Sequence, residues 1–126
     1  ESTIKIEVIQ AGVNPDRAKE GFGPIALERT NKTGIQHRDG VISMARGTPD
    51  SATSGWFICI NDQPSLDFGG QRNPDGQGFA AFGRVIWGMD VVRRIQAAPS
   101  SSNPTTNTEA QRLTPPIKIV KAARVK

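Results

Sequence analysis

The chain has 126 residues and a formal net charge of +4, from 16 lysines and arginines against 12 aspartates and glutamates. Its length suits one domain, and 36% hydrophobic with 22% charged residues is typical of a globular protein. No apolar stretch is long enough to span a bilayer as a helix, so we predict no membrane partner. The basic residues lack interleaved aromatic side chains, so we predict no nucleic-acid partner either.

The first third of the chain predicts short elements separated by turns. Apolar and polar residues alternate over Thr3–Gln10, which predicts a half-buried strand. The segment Asn14–Phe22 opens with Asn-Pro and is polar, which favours a loop that accommodates a turn of helix. Ile25–Glu28 is compatible with another short strand.

Two apolar runs in the middle of the chain give the strongest pattern. Val41–Ala45 and Trp56–Ile60 are too short for helices and flank a turn rich in Gly, Pro, Asp and Ser, which predicts two adjacent central strands. A long loop rich in glycine, Phe68–Gly78, follows, and Phe79–Val85 predicts a further strand.

The last part of the chain predicts one helix and one strand. Apolar residues recur at helical spacing around Asp90–Ala98, and Pro99 ends the pattern. Residues 99–114 predict a polar loop, and Ile117 with Ile119 predicts a last strand. Many strands, one or two helices and long loops favour a single mainly β domain over residues 1–126, built as an antiparallel barrel or sandwich.

Metal and covalent catalysis have no candidate residues in this sequence. The only histidine, His37, and the only cysteine, Cys59, are far apart, so we predict no metal site, and one cysteine forms no disulfide within the chain. His37 lies in a turn without an evident partner, which favours an ordinary loop histidine. Cys59 lies within an apolar strand, which favours a small buried side chain. We predict no cofactor.

Several motifs occur together in an order that carries a family resemblance. A strand ending in Ser-Met-Ala is followed by a Gly- and Pro-containing loop, then Trp-Phe-Ile-Cys-Ile, Phe-Gly-Arg-Val and Gly-Met-Asp-Val-Val. From about Ile6 to Val92, this order and spacing resemble the cyclophilin family of peptidyl-prolyl cis-trans isomerases, particularly bacterial members. The resemblance implies a cyclophilin-like antiparallel β-barrel with one or two capping helices. It also implies an isomerase that assists protein folding, acts on proline-containing polypeptides and needs no cofactor.

The family pattern also predicts that a segment is absent. Cyclophilin domains open with two strands, a helix and a Phe-His-Arg segment whose arginine is the main catalytic side chain, and nothing here resembles them. We therefore expect residues 1–126 to be the C-terminal two-thirds of such a domain, with an incomplete barrel and without the main catalytic arginine. On this expectation, the activity of residues 1–126 by themselves stays open.

The resemblance implies an apolar pocket for the proline ring. Phe57 is the implied floor, Leu66 and Phe79 are the implied walls, and Val8 stands where many members have methionine. Taken singly, Phe57, Leu66 and Val8 could equally be core residues.

Polar groups around the implied pocket differ in part from the family pattern. Gln10 corresponds to the glutamine that binds substrate and positions the catalytic arginine, and it could otherwise satisfy a turn. Ala45 and Arg46 correspond to the pair that lines the groove, where the Arg46 backbone holds the peptide. Gly55 replaces a groove glutamine, and Ser65 replaces the tryptophan of drug-sensitive members. The resemblance therefore implies weak or no cyclosporin binding.

Two other functions remain open on the sequence. One is a non-catalytic cyclophilin-like module that binds proline-containing segments without turnover. The other is an unrelated all-β interaction domain.

Overall fold

The computed structural model describes residues 4–100 and 112–125. These belong to two compact units, Glu1–Gln96 and Ala97–Lys126. Each described helix and strand lies in the first unit: β1 (Val8–Ala11), a 3-10 helix (Pro15–Glu20), α1 (Thr30–Thr33), β2 (Val41–Met44), β3 (Trp56–Cys59), a second 3-10 helix (Pro64–Leu66), β4 (Ala81–Arg84) and α2 (Met89–Gln96). The single domain over residues 1–126 stays a prediction.

The four strands form one antiparallel sheet in the order β1-β3-β2-β4. The predicted adjacent central strands are confirmed, since β2 and β3 pair with Ile42 opposite Ile58 and Ser43 opposite Phe57. The register between β2 and β4 shifts after Ile42, where β4 supplies an extra residue. Within the described residues the sheet is open, with β1 and β4 at its edges, so the mainly β antiparallel fold is confirmed without closure into a barrel.

The two faces of the sheet carry different apolar clusters because successive strand residues point to opposite sides. Phe57 and Cys59 lie on one face, whereas Ile58 and Ile60 lie on the other. The first cluster, called here the pocket cluster, contains Ile6, Val8, Ala45, Phe57, Cys59, Leu66 and Phe79. The second contains Ile9, Ile42, Trp56, Ile58, Ile60, Val85, Met89 and Val92.

The predicted helix is confirmed as α2, which begins at Met89 rather than Asp90 and ends at Gln96 rather than Ala98. Val92 is its buried residue and packs in the second cluster, so α2 covers the face opposite the pocket cluster. With eight residues, α2 is the longest helix in the described part of the chain, and none of the helices described there has the length and apolar character needed to cross a membrane.

Four predicted strands are corrected by the structure. The first begins at Val8, and Thr3 lies outside the described residues. The strand predicted at Phe79–Val85 is shorter and spans Ala81–Arg84. Ile25–Glu28 forms only an isolated bridge, between Ile25 and Ala52. A strand needs several consecutive paired residues along at least one neighbour, and here a single bridge is the whole pairing.

The last predicted strand, at Ile117 and Ile119, is wrong. The two side chains are 54% and 59% exposed, and the segment is irregular. The preceding Pro115 and Pro116 lack backbone donors, which removes two bonds from any ladder. Of the predicted polar loop at 99–114, residues 101–111 lie outside the described part of the chain.

Candidate functional site

Five residues predicted to bind substrate meet in the pocket cluster: Val8, Ala45, Phe57, Leu66 and Phe79. They come from β1, from the residue after β2, from β3, from the second 3-10 helix and from the segment before β4. These residues are far apart in the sequence, and the pairing of β1 and β2 with β3 brings them together. An apolar surface of this kind, assembled from several elements, suits a pyrrolidine ring.

The Phe57 ring is held between two other rings. Phe79 meets it edge-on, with ring centroids 5.7 Å apart and an interplanar angle of 86°. His37 stacks against it at 6.1 Å and 15°. Phe57 is only 4% exposed and Leu66 is fully buried, whereas Phe79, Val8 and Ala45 are partly exposed. Phe57 and Leu66 therefore form the base of the cluster, and the other three side chains reach the surface.

Gln10 lies on the same side of the sheet as this base. It pairs directly with Phe57 across β1 and β3, and opposed residues of an antiparallel pair share a face. Gln10 is exposed, and its carboxamide forms no hydrogen bond with another residue in the described part of the chain. A donor and an acceptor are therefore available beside the apolar cluster.

Arg46 contributes a side chain where the resemblance implied only a backbone. Its guanidinium lies 4.8 Å from the Phe79 ring centroid and is 1% exposed. It donates to both carboxylate oxygens of Asp75, at 2.9 and 3.0 Å, and to the carbonyl of Gly78 at 2.8 Å. The positive charge is therefore already bound to a carboxylate.

His37 is not the unpartnered loop histidine predicted from the sequence, and that prediction is wrong. The residue is 1% exposed. Its backbone N–H donates to Asp67 Oδ1 at 2.8 Å, and its Nδ1 lies 2.8 Å from the same oxygen. Its Nε2 lies 2.8 Å from Ser43 Oγ. These partners are 30 and 6 residues away in sequence, so no local pattern signals them.

The hydrogen bonds assign the protons of this array, which consists of His37, Ser43 and Asp67. Asp67 Oδ1 already accepts the backbone N–H of His37, so Nδ1–H donates to the same oxygen and the Ser43 hydroxyl donates to Nε2. Burial lowers the pKa of His37 below 6.5, and the hydrogen bond and charge of Asp67 act in the opposite direction. Ser43 is fully buried and meets no substrate, so the array does not form a hydrolytic triad.

The buried cysteine predicted from the sequence is confirmed. Cys59 is 0% exposed within β3, and burial, followed by the charges of Asp67 and Asp39, raises the pKa of its thiol to about 12. A thiol with this pKa is protonated at neutral pH and is a poor nucleophile.

Two further observations concern metal ligands and a cavity beside the pocket cluster. Among them, no three His, Cys, Asp or Glu side chains are grouped so that they could hold a metal ion. A cavity of about 140 Å³ includes Arg46 but no other residue of the predicted pocket; its lining is Ile25, Ala26, Leu27, Glu28, Met44, Arg46, Ala52, Ala80, Ala81 and Phe82.

Comparison with known proteins identifies the family. The family described as "Cyclophilin type peptidyl-prolyl cis-trans isomerase/CLD" matches residues 2–124. A peptidyl-prolyl cis-trans isomerase of Acinetobacter baylyi is 35% identical over 96 residues, covering 75% of this chain and 49% of that protein. One from Streptomyces antibioticus is 36% identical over 94 residues, covering 73% and 55%. Peptidyl-prolyl cis-trans isomerase B of Escherichia coli is 36% identical over 88 residues, covering 69% and 50%.

The match corrects one expectation and settles the family. The chain spans about half the length of these curated relatives. The expected absence of the first third of the domain is not borne out, since the family match extends over nearly the whole chain. The chain belongs to the cyclophilin-type peptidyl-prolyl cis-trans isomerase family.

Proposed function

We propose that the protein carrying this chain is a peptidyl-prolyl cis-trans isomerase that assists protein folding, with the pocket cluster as its proline site. The observation that carries the proposal is the convergence of Val8, Ala45, Phe57, Leu66 and Phe79 in one cluster. Their sequence positions were assigned by family resemblance alone, and a chance set of apolar residues would be distributed over both faces of the sheet. The family to which the chain belongs supports the same activity.

The reaction needs no nucleophile, metal or cofactor. The barrier to rotation, about 18–20 kcal/mol, arises from the partial double bond of the amide. Conjugation is lost when the amide is twisted, so an enzyme accelerates exchange if it binds the twisted form better than either planar isomer. The exposed parts of Phe79, Val8 and Ala45 offer an apolar surface for the ring, and the two buried side chains beneath keep that surface fixed.

Polar groups for the flanking peptide lie on either side of the cluster. The carboxamide of Gln10, which forms no hydrogen bond within the described part of the chain, lies on the face of the sheet that carries Phe57. The backbone N–H and C=O of Arg46 form no hydrogen bond with the described residues, so they can pair with an extended peptide as a neighbouring strand would. The guanidinium of Arg46 is held by Asp75 and so does not serve the proline nitrogen.

Substrates of this site are proline-containing polypeptides. Weak or no cyclosporin binding is expected, because Ser65 offers a small polar side chain beside Leu66 in place of the tryptophan of drug-sensitive members. The missing side chain at Gly55 removes one more polar contact to the groove.

The test is the cis-to-trans exchange rate of a short Ala-Pro peptide with the intact protein that carries residues 1–126. We expect faster exchange, and Gln10→Ala should reduce kcat/KM by about two- to twelvefold, the factor that corresponds to the loss of one hydrogen bond. Gln96→Ala, at the exposed end of α2, is the matched control and should leave turnover unchanged.

Two outcomes would contradict the proposal. A folded Gln10→Ala variant with full turnover would refute the role of Gln10. Saturable peptide binding without any acceleration by the wild-type protein would refute the isomerase and support the non-catalytic module instead.

A further inference from the structure

Arg46 connects the strand β2 to the long loop Phe68–Gly78. The residue lies two positions after the end of β2, and its side chain reaches the far end of the loop. Nε donates to the carbonyl of Gly78 at 2.8 Å, and the two Nη atoms bind Asp75 in bidentate fashion at 2.9 and 3.0 Å. A fourth hydrogen bond runs from Nη1 to the carbonyl of Gly47 at 2.9 Å. A planar guanidinium satisfies this set of acceptors, which a lysine ammonium cannot reproduce.

The same guanidinium covers the ring that follows the loop. Its central carbon lies 4.8 Å from the Phe79 centroid, within the range of a cation–π contact. The Phe79 ring also meets Phe57 edge-on, with the ring centroids 5.7 Å apart. Phe79 is therefore held between Arg46 and Phe57.

The backbone around Gly78 is closely packed, so the orientation of the Phe79 ring is what can still change. Gly78 has a φ of +72°, and a Cβ there would come within 2.7 Å of the backbone of Asp67 and Phe68. The N–H of Phe79 donates to the carbonyl of Leu66 at 3.0 Å. The main chain is thus fixed by Leu66 and the loop, whereas the orientation of the Phe79 side chain depends on the groups that contact its ring.

We propose that Arg46 is a positioning residue, whose side chain, locked by Asp75 and Gly78, fixes Phe79 as the wall of the proline pocket. This inference rests on the proposed function. It gives the Arg46 side chain a role in addition to the backbone role that the resemblance implied. Asp75 acts through Arg46 and touches no substrate.

The experiment uses two variants and a matched pair of controls. Arg46→Lys keeps the charge and removes the bidentate fork and the planar stack. Asp75→Asn removes the carboxylate from the partly exposed end of the pair. The controls are Arg94→Lys and Asp90→Asn, which alter an exposed ion pair on α2 with a separation of 3.6 Å.

Two readouts are compared in these variants. The first is the KM and kcat of peptide exchange, and the second is the ¹⁹F NMR signal of 4-fluorophenylalanine at Phe79, assigned by its loss in Phe79→Leu. We expect KM to rise about two- to fivefold, the factor that corresponds to a lost cation–π contact, with a smaller change in kcat. The Phe79 resonance should shift or broaden in both variants, and the controls should match the wild type.

Each result decides a specific part of the inference. An unchanged Phe79 resonance in folded Arg46→Lys and Asp75→Asn would overturn the positioning of the ring, whatever the kinetics show. A changed resonance with an unchanged KM would overturn the role of the ring as a pocket wall. A wild-type protein without isomerase activity, in which the Phe79 resonance still responds to Arg46→Lys, would refute the proposed function and support the positioning of Phe79.

Discussion

Lowering the pH should destabilise this protein over the range in which one residue, His37, takes up a proton in the unfolded chain. The ring is 1% exposed, and burial lowers its pKa below 6.5. The unfolded chain therefore binds a proton at a higher pH than the folded chain does. Stability from the neutral ring is complete above about pH 6.5 and is lost as the pH falls from there through the lowered pKa.

The magnitude follows from the count of protons. His37 is the only histidine, so the unfolded state binds at most one more proton than the folded state, and the free energy of unfolding falls by at most ~1.4 kcal/mol per pH unit. With a urea dependence of about 1–3 kcal/mol per molar, the urea midpoint should fall by at most roughly 0.5–1.4 M per unit. Carboxylates with lowered pKa values, such as Asp39 and Asp75, lose their contributions only below about pH 4.

Urea unfolding followed by circular dichroism at pH 7.5, 6.5 and 5.5 measures this effect. The wild-type midpoint should fall between the last two values. His37→Gln, which lacks a titrating ring, should start from a lower midpoint and show no change over this range. A wild-type midpoint that is constant from pH 7.5 to 5.5, or an equal fall in the His37→Gln variant, would refute the assignment of a neutral buried His37.

Two further predictions concern the pocket cluster. Phe57→Ala should lower the free energy of unfolding by about 3–5 kcal/mol, the usual cost of truncating a buried phenylalanine; a loss below 1 kcal/mol in urea titrations would place Phe57 outside the core. Cys59, fully buried with its pKa raised to about 12, should resist a thiol reagent such as dithionitrobenzoate in the native protein and react in urea, and rapid native labelling would contradict its burial.

Local patterns in the sequence were sufficient for the centre of the fold. The strands β2 and β3 and the helix α2 each carry a pattern that a few neighbouring residues define: short apolar runs between turn residues, or apolar positions at helical spacing. The failed strand at Ile117 and Ile119 carries a similar alternation. A strand also needs a neighbouring strand to pair with and a surface to pack against. The sequence of the segment specifies neither of these conditions.

The polar contacts of the site could not be predicted from local sequence patterns. His37 sits in a turn in the sequence, yet its partners Ser43 and Asp67 come from β2 and from the residue after the second 3-10 helix. The resemblance implied a role only for the Arg46 backbone, and the side-chain partner Asp75 is 29 residues away in the sequence. Family resemblance selected the apolar residues that meet in the pocket cluster, whereas it gave no information about the side-chain contacts of His37 and Arg46.

The pocket and the core of this sheet depend on one register. In β3, Phe57 and Cys59 face the pocket cluster, and the intervening Ile58 faces the cluster that α2 covers. A slip of one residue would exchange the two faces, because side chains alternate along a strand. Phe57 is opposed by Gln10 on one side and by Ser43 on the other, and Ser43 in turn binds the histidine that stacks on the Phe57 ring. The ring that would support a bound proline is therefore fixed by both neighbouring strands, which gives the proposed site a firmly held base.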